Sequence, residues 1–206
     1  MLIRKRGWPG LLVAMFLFGV ATVATLPLAA QDRDRDRDWH PLKGTYFITG
    51  DNACLVSPLG FDPTHLTPSG PSSVQSSSVQ GTLRLADGTG TGQFTELILT
   101  HPPASSAGAS SSEYSVSFTY TIADDGTLTV TFTSLSGTVL TGPSAGATFT
   151  LIPPPLSGRV AWDGSAILLS SIEPTVEHLQ IVGGPTLPRI CHRTRVQIPV
   201  HVDRED

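Results

Sequence analysis

Chemistry in this chain would have to start from a short set of residues: six histidines, two cysteines, an adjacent aspartate pair, and two arginines two positions apart. A metal site needs His, Cys or carboxylate ligands at tight spacing. His40, His65, His101 and His201 fall in leader, loop or tail segments, and His178 and His192 in expected strands. Glu177 and His178 are neighbours, so on a strand they point to opposite faces and cannot share an ion. Neither His-x-His nor Cys-x-x-Cys occurs, and the histidines read as ordinary polar residues. Serine is abundant, so any one serine near a histidine carries little meaning. Asp124 and Asp125 imitate a carboxylate pair, yet a turn accounts for both. No catalytic residue, metal or cofactor is expected. Arg193 and Arg195 share a strand face with Cys191. Two guanidiniums side by side can clamp an anionic ligand. The plainer reading pairs them with Glu173, Glu177 or the carboxyl tail.

Glycine offers a further candidate. The stretch "LRLADGTGTGQF", residues 83–94, carries Gly88, Gly90 and Gly92 at alternate positions. A phosphate-cradling loop needs a following helix whose N-terminal amides face the anion. "TGTGQFTELILT" opens no helix and lacks the Lys-Ser/Thr of a nucleotide loop, so the glycines read as a hairpin tip. Asp87-Gly88, Asp125-Gly126 and Asp163-Gly164 recur every 38 residues, each between two strand-like runs. Asp-Gly between alternating runs marks a hairpin turn.

The elements that hold these turns alternate with a period of two. In "EYSVSFTYTIA", Tyr114, Val116, Phe118, Tyr120 and Ile122 share one face, and serines and threonines the other. In "TLTVTFT", Leu128, Val130 and Phe132 alternate with threonines. These are half-buried antiparallel strands. Matching apolar faces sets register. A three-residue loop, Asp124-Asp125-Gly126, places Ile122 opposite Leu128 and Tyr120 opposite Val130, with Gly126 left-handed. A two-residue turn at Gly88 pairs Leu85 with Gly90, Leu83 with Gly92 and Gly81 with Phe94, where the glycines give a curved sheet room to bend. Further strands are expected near 44–50, 138–141, 147–152, 156–162, 165–172, 176–182 and 189–198. The Pro/Ser-rich segments 57–78 and 101–112 read as loops. The expectation is an all-β fold, a single antiparallel meander β-barrel of about 8–10 strands, with a β-sandwich as the alternative.

Around this domain, at 44–200, lie segments of other character. Arg4, Lys5 and Arg6, an apolar run from Leu11 to Val23, Pro27 and then Leu28-Ala29-Ala30 have the layout of a secretory signal peptide, expected as a helix over 1–30 and cleaved after Ala30. An uncleaved anchor is the alternative. "QDRDRDRDW" has no apolar face in helix or strand, so 31–43 reads as a solvated, disordered leader; 201–206 is a charged tail. Removing residues 1–30 takes away three of the 13 basic residues and none of the 17 acidic ones, moving the net charge from −4 to −7. Clustered cations are missing, which argues against nucleic acid as a partner. Cys54 and Cys191, in an exported chain, read as one disulfide, worth about 5 kcal/mol in the chain-entropy model for so long a loop.

The mature chain resembles small exported bacterial β-barrel proteins of the calycin kind. The likeness rests on "GTYFITG", the "DGTGTG" hairpin and the basic "CHRTRV". Lipocalins carry Gly-x-Trp on the first strand and, on the last, a basic residue that covers the Trp. The resemblance puts Gly44-Thr45-Tyr46 and Arg193 or Arg195 in those places, with Tyr46, Arg193 and Arg195 as ligand or rim contacts. Tyr replaces Trp, and the other lipocalin motifs are absent. "DGTGT" is also similar to the allene oxide cyclase barrel, although no catalytic set matches. The expected function is that of a periplasmic or extracellular barrel binding a small, mainly apolar ligand. A structural or surface protein with a filled core is the alternative, and an isomerase- or cyclase-like enzyme follows by fold analogy alone. An outer-membrane barrel would also alternate, but the cysteines, the Pro-rich loops and the charged "VDRED" end argue against stable membrane insertion. Nothing in the sequence speaks to oligomeric state.

Overall fold

The computed structural model describes residues 42–101 and 108–200. The signal peptide, nearly all of the Asp-Arg leader and the charged tail lie outside the described residues. Among the described residues there are ten strands and no helix: β1 Gly44–Val56, β2 Ser73–Ala86, β3 Thr89–His101, β4 Gly108–Ile122, β5 Thr127–Thr141, β6 Thr148–Leu151, β7 Leu156–Val160, β8 Ile167–Ser170, β9 Val176–Ile181 and β10 Thr186–Pro199.

All pairings are antiparallel, and the sheet closes on itself. The ring runs β1-β2-β3-β4-β5-β6-β9-β10 and returns to β1. Closure decides for the barrel over the sandwich. β7 and β8 continue two of the staves. β5 pairs with β6 through residues 135–138 and with β7 through 127–130. β10 pairs with β9 through 186–190 and with β8 through 194–197. Between β6 and β7 runs Ile152-Pro153-Pro154-Pro155, whose three prolines have no N–H to give a ladder. The next stave breaks at 171–175, which contains Pro174. An eight-stave barrel has an interior just wide enough to be filled by side chains or to hold one small ligand.

Both hairpin registers follow from the alternation of apolar residues. Tyr120 pairs with Val130 and Ile122 with Leu128. Gly126 has φ +80°, a conformation that costs an ordinary side chain about 1–2 kcal/mol. At the other turn Leu85 faces Gly90, Leu83 faces Gly92 and Gly81 faces Phe94. The use of Gly90 is close packing: a Cβ there would fall 2.2 Å from Phe118 Cζ. The ring of Phe118 thus occupies the space that a side chain at 90 would need.

Three expectations change. The segment 73–78 belongs to β2, and 108–112 to β4. Their serines are strand residues, held by continuous pairing with β1 and β3. Residues 138–141 are the end of β5 rather than a separate strand. A bulge hides this continuity: Ser117 pairs with Ser134 but Phe118 with Phe132, so Thr133 is an extra residue. One inserted residue reverses which face looks inward, and as a result both Phe132 and Leu135 reach the interior.

The barrel has two unlike ends. The hairpin end carries the turns at 87–88 and 124–126, the start of β1 and the end of β10. Its core holds Tyr46, Leu83, Leu85, Phe118, Leu128 and Ile167, all buried. There the Tyr120 hydroxyl donates to the carbonyl of Leu42. The loop end carries the longer connections, and the inward positions there are largely polar.

Candidate functional site

The inward face of β10 sets the site. Alternation carries Cys191, Arg193, Arg195 and Gln197 to the interior, where all four are buried. Cys191 stands directly opposite Cys54 of β1. Their Cα atoms are 4.1 Å apart and their sulfurs 2.05 Å apart, at disulfide distance. The pair ties the first stave to the last at the loop end of the barrel.

Beyond the cysteines the interior holds two polar networks. In the first, Glu177 of β9 is 3% exposed. Its Oε1 accepts from Arg189 Nε at 2.7 Å and from Arg193 Nη2. The pairing expected between Glu177 and a basic residue of β10 is present, although it is buried and not at a rim. Glu177 Oε2 and Arg193 Nη1 are both buried without a hydrogen-bond partner. In the second network, Arg195 Nη2 donates to Asn52 Oδ1 at 2.7 Å, and Asn52 Nδ2 donates to Glu96 Oε1 at 2.7 Å. Ser77 also donates to that Glu96 oxygen. Arg195 Nη1 reaches the carbonyls of Asp51 and Thr194, so all of its partners are neutral oxygens. Burial lowers the Arg195 pKa below its ordinary value. Gly50 lies across from Arg195, and a Cβ there would stand 2.9 Å from Arg195 Cδ.

Tyr114 of β4 connects this polar end to the apolar one. Its ring stacks on Phe94 with centroids 5.2 Å apart. Burial raises its phenol pKa well above the usual value; Glu96 adds to the rise, and the guanidiniums of Arg195, Arg193 and Arg189 oppose it. Between the two ends lies an internal cavity of about 120 Å³. Phe94, Phe118, Phe132, Phe149 and Val130 contribute apolar wall, while Ser112, Glu96, Arg189, Arg193 and Arg195 contribute polar wall. The Ser112 hydroxyl is buried and has no partner. Such a wall can hold a small molecule through hydrogen-bond donors at one end and aromatic contacts at the other. The described histidines take no part, since His65, His101, His178 and His192 are all exposed. Among the described residues no cluster of three His, Cys, Asp or Glu could hold a metal ion.

The other expected residues lie apart from this site. Tyr46 is buried at the hairpin end, opposite Pro199 and Leu83, whereas Arg195 lies opposite Gly50 and Arg193 opposite Asn52. Asp87 and Gly88 form a two-residue turn, both at positive φ, with Asp87 bridged to Lys43 at 2.8 Å. Asp125 accepts from the Thr127 amide and hydroxyl. Asp163 accepts from the Ser165 amide and hydroxyl, and Gly164 has φ +72°. These aspartates organise turns, and those hydrogen bonds lower both carboxyl pKa values.

Sequence reasoning did not single out Asn52, Ser77, Glu96, Ser112 or Arg189 as members of a site. A signal was available: Glu96 and Glu177 each occupy the inward position of an alternating run, between Phe94 and Ile98 and before Leu179. A charged residue on the apolar parity of a strand has to be paired inside. No protein-family model matches the chain, and no match was found among curated proteins or solved structures. Among the described residues no helix is long and apolar enough to cross a membrane.

Proposed function

We propose that this chain is an exported, water-soluble β-barrel protein that binds one small, mainly apolar ligand inside the barrel. The observation that carries this reading is the internal cavity of about 120 Å³, walled by four phenylalanines. A dry apolar cavity of about 150 Å³ takes up benzene, so the expected ligand body is about one ring or a short chain. Toward the hairpin end, the outward faces of β2–β4 support solubility. Gln80, Thr82, Arg84, Thr91, Gln93, Thr95, Thr119 and Thr121 are exposed, and a membrane barrel would carry apolar residues there. The cysteine pair fits an oxidising compartment, and the likeness to calycin-type barrels fits the same role.

Toluene titration followed by the methyl resonances of Leu83, Val116, Val130 and Leu156 tests the proposal. Saturable shifts are expected in the wild type and none in Val130→Phe, which adds a ring to the cavity wall. A second reading, a structural protein with a closed core, draws on the cavity's size, since most ligand pockets measure about 300–1,000 Å³. No toluene shift in the wild type, together with a gain of stability in Val130→Phe, would establish that second reading.

A further inference from the structure

We infer that the ligand is a monoanion, a small carboxylate whose acidic head sits on Arg193 and Ser112 and whose hydrocarbon body lies toward Phe94 and Phe118. This inference deepens the ligand-binding proposal and rests on it.

The first observation is a charge imbalance inside the barrel. Three guanidiniums, Arg189, Arg193 and Arg195, reach the cavity wall. Two interior carboxylates face them, Glu96 in the wall and Glu177 behind it. Guanidinium does not lose its proton in proteins, so among the described residues the interior carries one positive charge more than it neutralises. The next carboxylate, Asp51, is exposed on the outer parity of β1, and the Asp51 group that Arg195 contacts is its backbone carbonyl.

The second observation is independent of charge counting. Arg193 is 5% exposed, and Ser112 2%. Arg193 Nη1 and Ser112 Oγ lack partners, and both residues line the cavity. Buried donors are nearly always satisfied, and two unsatisfied ones that line the same cavity, one from β4 and one from β10, call for an acceptor supplied from the cavity. A carboxylate supplies two acceptor oxygens and the missing negative charge together. Glu177 Oε2 is also unpartnered, but Glu177 is not part of the cavity wall. Phe94, Phe118, Phe132 and Phe149 line the same cavity, which sets the rest of the ligand as hydrocarbon.

Calorimetric titration of the full disulfide-bonded protein with benzoate, benzyl alcohol, benzylamine, toluene and inorganic phosphate tests this. Benzoate is expected to bind at least about tenfold more tightly than benzyl alcohol, as a charge-assisted pair requires, and phosphate more weakly than benzoate. Ser112→Ala and Arg193→Lys should each weaken benzoate about tenfold while leaving toluene within about twofold. Arg193→Lys keeps a cation for Glu177, and Ser112→Ala leaves the ion pairs untouched, so one of the two reports even if the other fails to fold. Benzoate no tighter than benzyl alcohol, or benzylamine tighter than benzoate, overturns the anionic head while the apolar-ligand reading stands. Binding of neither toluene nor benzoate removes both.

Discussion

The two ends of the barrel interior are held by different forces. At the hairpin end, tight turns and interdigitated side chains do the work: Phe118 lies over Gly90, and Ile167 is wholly buried. At the loop end, the inward positions carry Asn52, Ser77, Glu96, Glu177 and three arginines, and a covalent link spans β1 and β10. Buried ion pairs add little net stability, because desolvation offsets their attraction. An end built on them needs another fastening, and the cysteine pair supplies it. The end with the weaker packing is also the end with unsatisfied donors. Packed apolar side chains are concentrated at one end and unsatisfied buried polar groups at the other.

The largest test of this contrast is to cut the link. Cys54→Ala with Cys191→Ala, or reduction of the wild type, should cost about 2–5 kcal/mol by urea unfolding. Hydrogen exchange should then speed first at Asn52–Val56 and Arg189–Arg193, while Leu83 and Leu85 keep their protection. Equal acceleration at both ends would end the distinction. Next in size is Gly90→Val at the hairpin end, expected to cost about 3 kcal/mol as an overpacked core position. A melting temperature unchanged from the wild type would show that Phe118 has somewhere else to go. Smaller again is the turn at Gly126: Val there should be less stable than Asn by about 1 kcal/mol, since Asn tolerates positive φ. The smallest effect has the opposite sign. Ser112→Ala should stabilise the ligand-free protein by up to about 1 kcal/mol, because it removes an unsatisfied buried hydroxyl. Destabilisation by that variant would mean the hydroxyl already has a partner.

The same contrast governs what could be read from the sequence. Hairpin-end registers were legible because apolar alternation and Asp-Gly turns point to one pairing, as with Ile122 opposite Leu128. Cys54 and Cys191 were legible by elimination, being the only two cysteines in the chain. The loop end was opaque. There the strands are written in serine, and "VQSSS" and "GASSS" have no apolar face to show. Their inward residues are polar because they meet other polar residues, a fact that resides in the tertiary pairing. The bulge at Thr133 is hidden for a similar reason, since one extra threonine among threonines leaves no mark. Arg193 and Arg195 could be placed on one face, but Glu96 and Asn52 come from strands far away in sequence, and only barrel closure brings them within reach.

Closure also has a consequence for how the chain is made. β1 waits for its second neighbour until β10, the last described strand, has been synthesised. Strands β2 to β5 can pair in order as they emerge, since each meets the one before it across a hairpin or a longer loop. Until the final stave arrives, the growing sheet is open, and the free edge of β1 is thirteen residues long. An uncovered edge of that length is a template for a second chain. Contacts between such distant segments also form slowly, because the loop entropy must be met before the pairing rewards it. A chain shortened by its last stave would therefore lose more than one strand's worth of hydrogen bonds. It would remain an unsealed sheet, prone to pairing with its own copies.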